Sequence, residues 1–279
     1  IPTPCWVSYV EMVKMTQGKS VLVKTSMEDN FCLTAEQLEE AITPQTKLLM
    51  LCSPNNPTGS VYTLDNLKAL VEVLKQHPQV NVLADEIYQH ILYTGKHETL
   101  AQFAEIEDRL IVINGVSKAY AMTGYRIGWM ACHDKQLVTA VKRLQGQMIT
   151  CATTIAQKAA EAAYQGPQDC VEEMRAIFQQ RRDIIVNMAK DIPGMKVLEP
   201  QGAFYLFPDV SAFFGKQYQG GTINNAEDLV TYLLREAHVA CVSGSAFGED
   251  KCIRLSYATS ESIIVEAMKR IKEALCKLQ

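Results

Sequence analysis

The sequence predicts an α/β fold, a mostly parallel sheet flanked by helices, followed by a smaller C-terminal α+β domain. Three observations predict it. From Ser20 onward, short apolar or β-branched runs alternate with longer stretches of helical periodicity, the pattern of parallel βαβ units. Three of those runs stop abruptly at polar residues, as strands buried on both faces of a parallel sheet do. Beyond a long helical stretch the order changes to short runs mixed with helices, which suits a second, α+β unit.

The first strand is predicted over residues 47–52 (KLLMLC) and is ended by the Ser53 to Gly59 segment, SPNNPTG. A helix over 63–77 follows, because Leu64, Leu67, Leu70, Val71 and Leu74 recur at three- and four-residue spacing. A second strand, 80–84 (VNVLA), stops at Asp85; a third, 110–114 (LIVIN), stops at Gly115-Val116-Ser117-Lys118. Helices are predicted over 135–145 and 154–164. Pro167 then opens a long helical stretch to Asp191, ended by Pro193-Gly194. Short strand-like runs follow at 196–198, 203–207, 239–242 and 253–256, with helices at 226–237 and 260–277. The expected division is a large domain over 1–170, a linking helix over 171–192 and a small domain over 193–279.

Composition excludes several classes of function. The 27 Lys and Arg against 31 Asp and Glu give a net charge of −4, with no block of like charge. No basic footprint for nucleic acid is present. No apolar run approaches the roughly 18–20 residues that cross a bilayer. The opening Ile-Pro-Thr-Pro-Cys-Trp has neither a basic nor an apolar region of an export signal. Nine scattered cysteines without a Cys-x-x-Cys pair, together with five histidines lacking ligand spacing, favour a reducing cytoplasm and give no paired-cysteine zinc site.

In an open α/β sheet, ligands gather outside the carboxyl ends of the strands. That rule selects Asn55, Asn56 and Thr58 after the first strand, Asp85 and Tyr88 after the second, and Ser117 and Lys118 after the third. Each has a plainer reading. Asn-Pro-Thr-Gly makes a good turn; Asp85 and Ser117 could cap helices; Tyr88 could be a buried phenol, Lys118 a solvated lysine and Trp6 ordinary core. Together they suit one chemistry. A lysine that forms a Schiff base must be partly neutral near pH 7, and desolvation beside a cation such as Arg126 lowers its pKa. Pyridoxal phosphate asks for that lysine, a carboxylate at the ring nitrogen, hydrogen bonds to the ring oxygen and a cation for the phosphate.

The segments SPNNPTG, ADEIY, SKAYAMTGYRIG, QGAFYLF and IRLSYATS, in this order and spacing, resemble the fold-type I pyridoxal-phosphate aminotransferases of class I/II, most closely the bacterial aspartate-type enzymes. The opening TPCWVSYVEMVKMTQGK is similar to the family's segment leading into the large domain, with Cys5 where tyrosine is usual. The resemblance implies that Lys118 holds the cofactor and shuttles the proton, Asp85 pairs with the ring nitrogen, and Asn56 and Tyr88 hydrogen-bond the ring oxygen. It further implies that Trp6 stacks on the ring and that Arg126 with Ser117 holds the phosphate. Arg254 in IRLSY would grip the substrate carboxylate, near Asn56 and Trp6; alone, it reads as a surface or ion-paired arginine. Gly202, Ala203 and the 243–245 loop would lie beside the substrate or be simple turns.

Two departures stand out. The family's small-residue phosphate loop lies upstream of the tryptophan segment, and Gly115 replaces a phosphate-binding Ser or Thr common in relatives. A start without Met, inside that pattern, makes a chain lacking its N-terminal segment the expectation. The resemblance implies a cytoplasmic homodimer that transaminates an amino acid with a 2-oxo acid, aspartate with 2-oxoglutarate first, in a ping-pong cycle. Another amino-acid aminotransferase, a β-lyase, a non-catalytic regulatory module of the same fold or an inactive fragment are the alternatives.

Overall fold

The computed structural model describes residues 1–279. At the N-terminus, β1 (Pro2–Thr3) pairs in parallel with β2 (Val23–Lys24), and α1 (Ser8–Met15) lies between them in sequence. A short α2 (Ala35–Ala41) starts at a capping box, in which Thr34 accepts from Gln37 N and the Gln37 side chain reaches back.

The central sheet runs β3 (Leu48–Cys52), β4 (Asn81–Asp85), β5 (Leu110–Gly115), β6 (Gly128–Cys132). The first three strands are parallel and in the predicted places. Cys52 stands opposite Asp85 and Asp85 opposite Ile113, so the strands end nearly level. The fourth strand is antiparallel and had no counterpart among the predicted strands. GWMAC is an exposed to half-exposed edge, and an edge strand needs no continuous apolar run. Its approach also accounts for Gly115. A Cβ there would stand 2.8 Å from Gly128 Cα and 2.8 Å from Ile127 O, so a serine or threonine does not fit without moving β6.

Between β3 and β4, α3 (Leu64–Gln76) covers the sheet. Its N-cap is Thr63, which shares a capping box with Asn66, so the predicted start was the cap itself. Leu67, Leu70, Val71 and Leu74 form its buried stripe and meet Leu49, Leu51, Val80 and Val82 in one core. Leu70 and Leu74 are fully buried, a state that stabilises by about 1.5–3 kcal/mol for each such side chain.

Three helices follow, α4 (Lys135–Met148), α5 (Thr154–Gln165) and α6 (Asp169–Lys190). The last buries Phe178, Arg182, Ile185, Val186 and Ala189 and belongs to a second core. There a three-stranded antiparallel sheet is formed by β7 (Tyr205–Leu206), β10 (Val242–Ser243) and β11 (Ile253–Ser256), in the order β10-β11-β7. A small hairpin, β8 (Gln217–Tyr218) and β9 (Gly221–Thr222), precedes α7 (Ala226–Tyr232), and α8 (Glu261–Leu275) closes the chain. The predicted helix at 226–237 is real in extent, but Leu233–Ala237 forms a wider π turn that ends at His238 in a left-handed conformation. Three predicted strands shrink, one of them 203–207, which is reduced to Tyr205–Leu206. Residues 196–198 contribute one bridge, Lys196 with Asp209, and 239–242 is reduced to a strand starting at Val242. Tyr88, Ile91 and Tyr93 precede α6 yet pack in this second core. No helix is long and apolar enough to cross a membrane.

The loop leaving β3 is clasped to the C-terminal region through backbone. Gly59 O accepts from Gln201 N and Gly202 N, both at 2.9 Å, while Ala203 N donates to Ile91 O at 2.9 Å. Gly59 has φ +72°, and a Cβ on it would lie 2.5 Å from Pro200 Cβ and 2.9 Å from Gly202 O. Left-handed strain and overpacking therefore add, and Gly59→Ala is expected to lower the unfolding free energy by about 2–4 kcal/mol in a urea titration.

Candidate functional site

The site is built where β3, β4 and β5 end. Asp85 is the last residue of β4. Its Oδ2 accepts from Tyr9 Oη at 2.6 Å and its Oδ1 from Ile87 N at 3.1 Å. No α-helix follows it, so the capping reading fails. Burial raises the pKa of this carboxyl, opposed by the Tyr9 and Ile87 donors and by the Lys118 charge, while Glu86 adds to the rise.

Tyr9 was not singled out in the sequence. It is 4% exposed, one helical turn after Trp6, and its N–H donates to Trp6 O at 3.1 Å. The Trp6 ring meets Tyr9 edge to face, centroids 5.5 Å apart at 87°, and stays 37% exposed. The three-residue spacing of two aromatics was the available signal. Tyr9→Phe removes a hydrogen bond to the ionised carboxylate, and the pKa of Asp85 is expected to rise further. A carboxyl whose folded pKa is raised gives stability that is lost as pH rises through that pKa. The variant should therefore lose more stability at pH 7 than at pH 4, as read by carbon NMR titration and denaturation at both pH values.

From β5 the chain turns through Ser117 and Lys118, both half-buried. Lys118 Nζ lies 5.7 Å from the Tyr88 ring centroid and 5.6 Å from that of Phe204. Burial lowers the pKa of this amine first, then the charges of Arg126 and Arg254, against the pull of Asp85. The solvated-lysine reading is thereby replaced. Arg126 adopts a left-handed backbone at φ 54° and donates to Thr123 O at 2.8 Å; its side chain is otherwise exposed. Tyr88 is buried, its hydroxyl 2.9 Å from that of Tyr205.

Arg254 lies in β11 and crosses to the β3 loop, where its Nη1 donates to Asn56 Oδ1 at 2.9 Å. Its guanidinium carbon is 4.6 Å from the Tyr205 ring and 4.7 Å from the Phe247 ring. Arg254 pairs with no carboxylate of the chain, unlike Arg175, Arg182 and Arg270, so the ion-pair reading fails. Burial lowers its pKa. A half-buried arginine, stacked between two rings and without an anion, is a receptor for one.

Asn55 anchors the same loop through Nδ2 donating to Pro4 O and Thr58 Oγ1, each at 3.0 Å. Gly202 packs on Pro54 and Ala203 bonds to Ile91, so both serve the clasp between loops. In the 243–245 loop the two serine hydroxyls bond each other at 2.8 Å; what it adds to the site is Phe247. Tyr205 and Phe247 escaped the sequence reading, although Tyr205 stands in the QGAFYLF segment. A cavity of about 620 Å³ is lined by Leu255 and by the α8 residues Ile263 and Ile271. Its lining also takes in Ser256 but none of Lys118, Asp85, Asn56 or Arg254, so that cavity is separate from the site.

The chain is similar to known proteins along almost its whole length. The family described as aminotransferase class I and II matches residues 1–271. The bifunctional aspartate aminotransferase and glutamate/aspartate-prephenate aminotransferase of Petunia hybrida is 44% identical over 285 residues, covering 100% of this chain and 59% of the relative. The aspartate aminotransferase of Rhizobium meliloti is 44% identical over 281 residues, covering 100% and 68%. The crystal structure of the Rhizobium meliloti enzyme has a TM-score of 0.96 at 44% identity, covering 100% of this chain and 70% of that one. Aspartate aminotransferase from Thermus thermophilus with maleate gives 0.88 at 36% identity, covering 98% and 68%. The chain thus spans about three fifths of the plant relative and about two thirds of the bacterial ones.

Proposed function

Because the chain belongs to the class I and II aminotransferase family, we propose that it acts in pyridoxal-phosphate-dependent transamination, passing the amino group of an amino acid, aspartate first, to a 2-oxo acid. The observation that carries this reading is the unpaired Arg254, held on Asn56 and between two rings, within the field of an amine biased toward neutrality.

The donor set fits the cofactor. A lysine amine of lowered pKa, a half-buried carboxylate already aimed by two hydrogen bonds, a phenol and an arginine meet where three strands end. Bound there, pyridoxal phosphate supplies an aldehyde carbon and a protonated ring that draws electron density from the substrate α-carbon. The remaining work belongs to the chain. Lys118 in its neutral form would be the amine for that aldehyde and the base that takes and returns the α-proton. Asp85 would keep the ring nitrogen protonated, its desolvation strengthening that hydrogen bond. Tyr88 and Asn56 would donate to the ring oxygen, Trp6 would cover the ring, and Arg126 with Ser117 would take the phosphate. Arg254 forks onto the substrate carboxylate while Asn56 holds its other edge.

Relatives named aspartate aminotransferase and probable aspartate/prephenate aminotransferase support aspartate as donor and prephenate as one acceptor; 2-oxoglutarate is the acceptor that the motif resemblance implies. A homodimer in the cytoplasm, and a division into large domain, linking helix α6 and small domain, complete the proposal. The test adds pyridoxal phosphate to the purified protein, records the absorption spectrum before and after borohydride, and maps the modified peptide. A reduced adduct on Lys118 is expected. An adduct elsewhere, or none, would sink the reading.

A further inference from the structure

Tyr205 is a side chain that touches both halves of the site. Its hydroxyl is 2.9 Å from that of Tyr88, its ring lies 4.6 Å beneath the Arg254 guanidinium, and it packs on Phe204 with centroids 4.8 Å apart. Phe204 and Tyr88 are in turn the two rings beside the Lys118 amine. The residue is buried, and burial raises the pKa of its phenol, opposed by the Tyr88 hydrogen bond and the Arg254 charge. It therefore stays protonated and can bond to Tyr88 across the working pH range.

We propose that Tyr205 is a positioning residue shared between the two halves, its hydroxyl fixing Tyr88 toward the cofactor and its ring supporting Arg254 toward the substrate carboxylate. This inference rests on the functions proposed above for Tyr88 and Arg254. The two contacts come from different parts of the same side chain, so they separate by substitution. A phenylalanine keeps the ring beneath the guanidinium and removes only the hydroxyl. A leucine removes both.

In Tyr205→Phe, the dissociation constant for pyridoxal phosphate is expected to rise about fivefold to tenfold, while the affinity of the cofactor-free protein for succinate, read by calorimetry, stays within twofold. In Tyr205→Leu, succinate affinity should also fall about tenfold, since the cation has lost one of its two rings. In a Tyr88→Phe background, Tyr205→Phe should change cofactor affinity no further, because the partner hydroxyl is already gone. A general loss of packing would instead lower both affinities in both variants, and that outcome overturns the assignment. Wild-type affinities in both variants overturn it as well. If the unaltered protein neither traps cofactor on Lys118 nor binds succinate, the proposed function falls and takes the role of Tyr205 with it. If it does both while the variants match it, only Tyr205 is removed.

Discussion

Lys118→Ala is expected to lower the rate of the proposed transamination by about 10⁴-fold or more, because one substitution removes the group proposed both as the amine for the cofactor aldehyde and as the base for the α-proton. Pyridoxal phosphate should still bind, through the groups proposed for its ring and phosphate, but borohydride should no longer fix it to the chain. Steady-state turnover and mass mapping read the two effects, and near-normal turnover would remove Lys118 from the mechanism. A stability signature accompanies the loss. The folded pKa of Lys118 is lowered by burial and by Arg126 and Arg254, so the charged amine is penalised at neutral pH. Its contribution to stability is present above the unfolded lysine pKa and fades as pH falls through the folded one. Relative to Lys118→Ala, the wild-type protein should therefore gain stability as pH rises from 7 toward 10.

Asp85→Ala is expected to slow removal of the substrate α-proton by about 10³-fold. Without the carboxylate the ring nitrogen is not held protonated, and negative charge developing at the α-carbon loses its main sink. A larger primary isotope effect with α-deuterated aspartate should accompany the drop, since proton removal then limits the rate. An unchanged isotope effect and rate would place Asp85 outside the site. The stability effect runs against the catalytic one. Burial raises the pKa of Asp85, so the ionised group is unfavourable in the fold at pH 7, and its stabilising share is confined to pH values below its folded pKa. Asp85→Asn, which keeps an oxygen for the Tyr9 hydroxyl, should be no less stable than wild type at pH 7 in thermal melts while being catalytically crippled. Such opposition between stability and activity is common where a site holds groups the fold would prefer neutral.

The residues at the strand ends were legible because the same property that makes a parallel strand readable, an apolar run stopped by polar residues, also marks where its ligand groups emerge. Asp85, Lys118 and Asn56 each stand within a few residues of such a stop. Tyr9, Tyr205 and Phe247 were not legible. Their partners lie 76 residues away for Tyr9 and 117 for Tyr205, and local pattern carries no record of such pairing. For Arg254 the sequence favoured a surface or ion-paired arginine when the residue was taken alone, and only the motif around it argued otherwise; the fold supplies an amide, at a sequence separation of 198. The β6 edge was missed for a related reason. An antiparallel strand with exposed residues lacks the apolar run by which the other three were found.

The backbone clasp at Gly59 limits how this fold can be recombined. The β3 loop and the 200–203 segment share main-chain hydrogen bonds and leave no room for a side chain at Gly59 or Gly202, so neither has a free surface of its own. A chimera that takes residues 53–60 from one homologue and 200–203 from another would join two halves of a fitted joint with different tolerances, and Asn56, which steadies Arg254, rides on the first half. Segment exchange aimed at new substrate selectivity should therefore move both stretches as one heritable block.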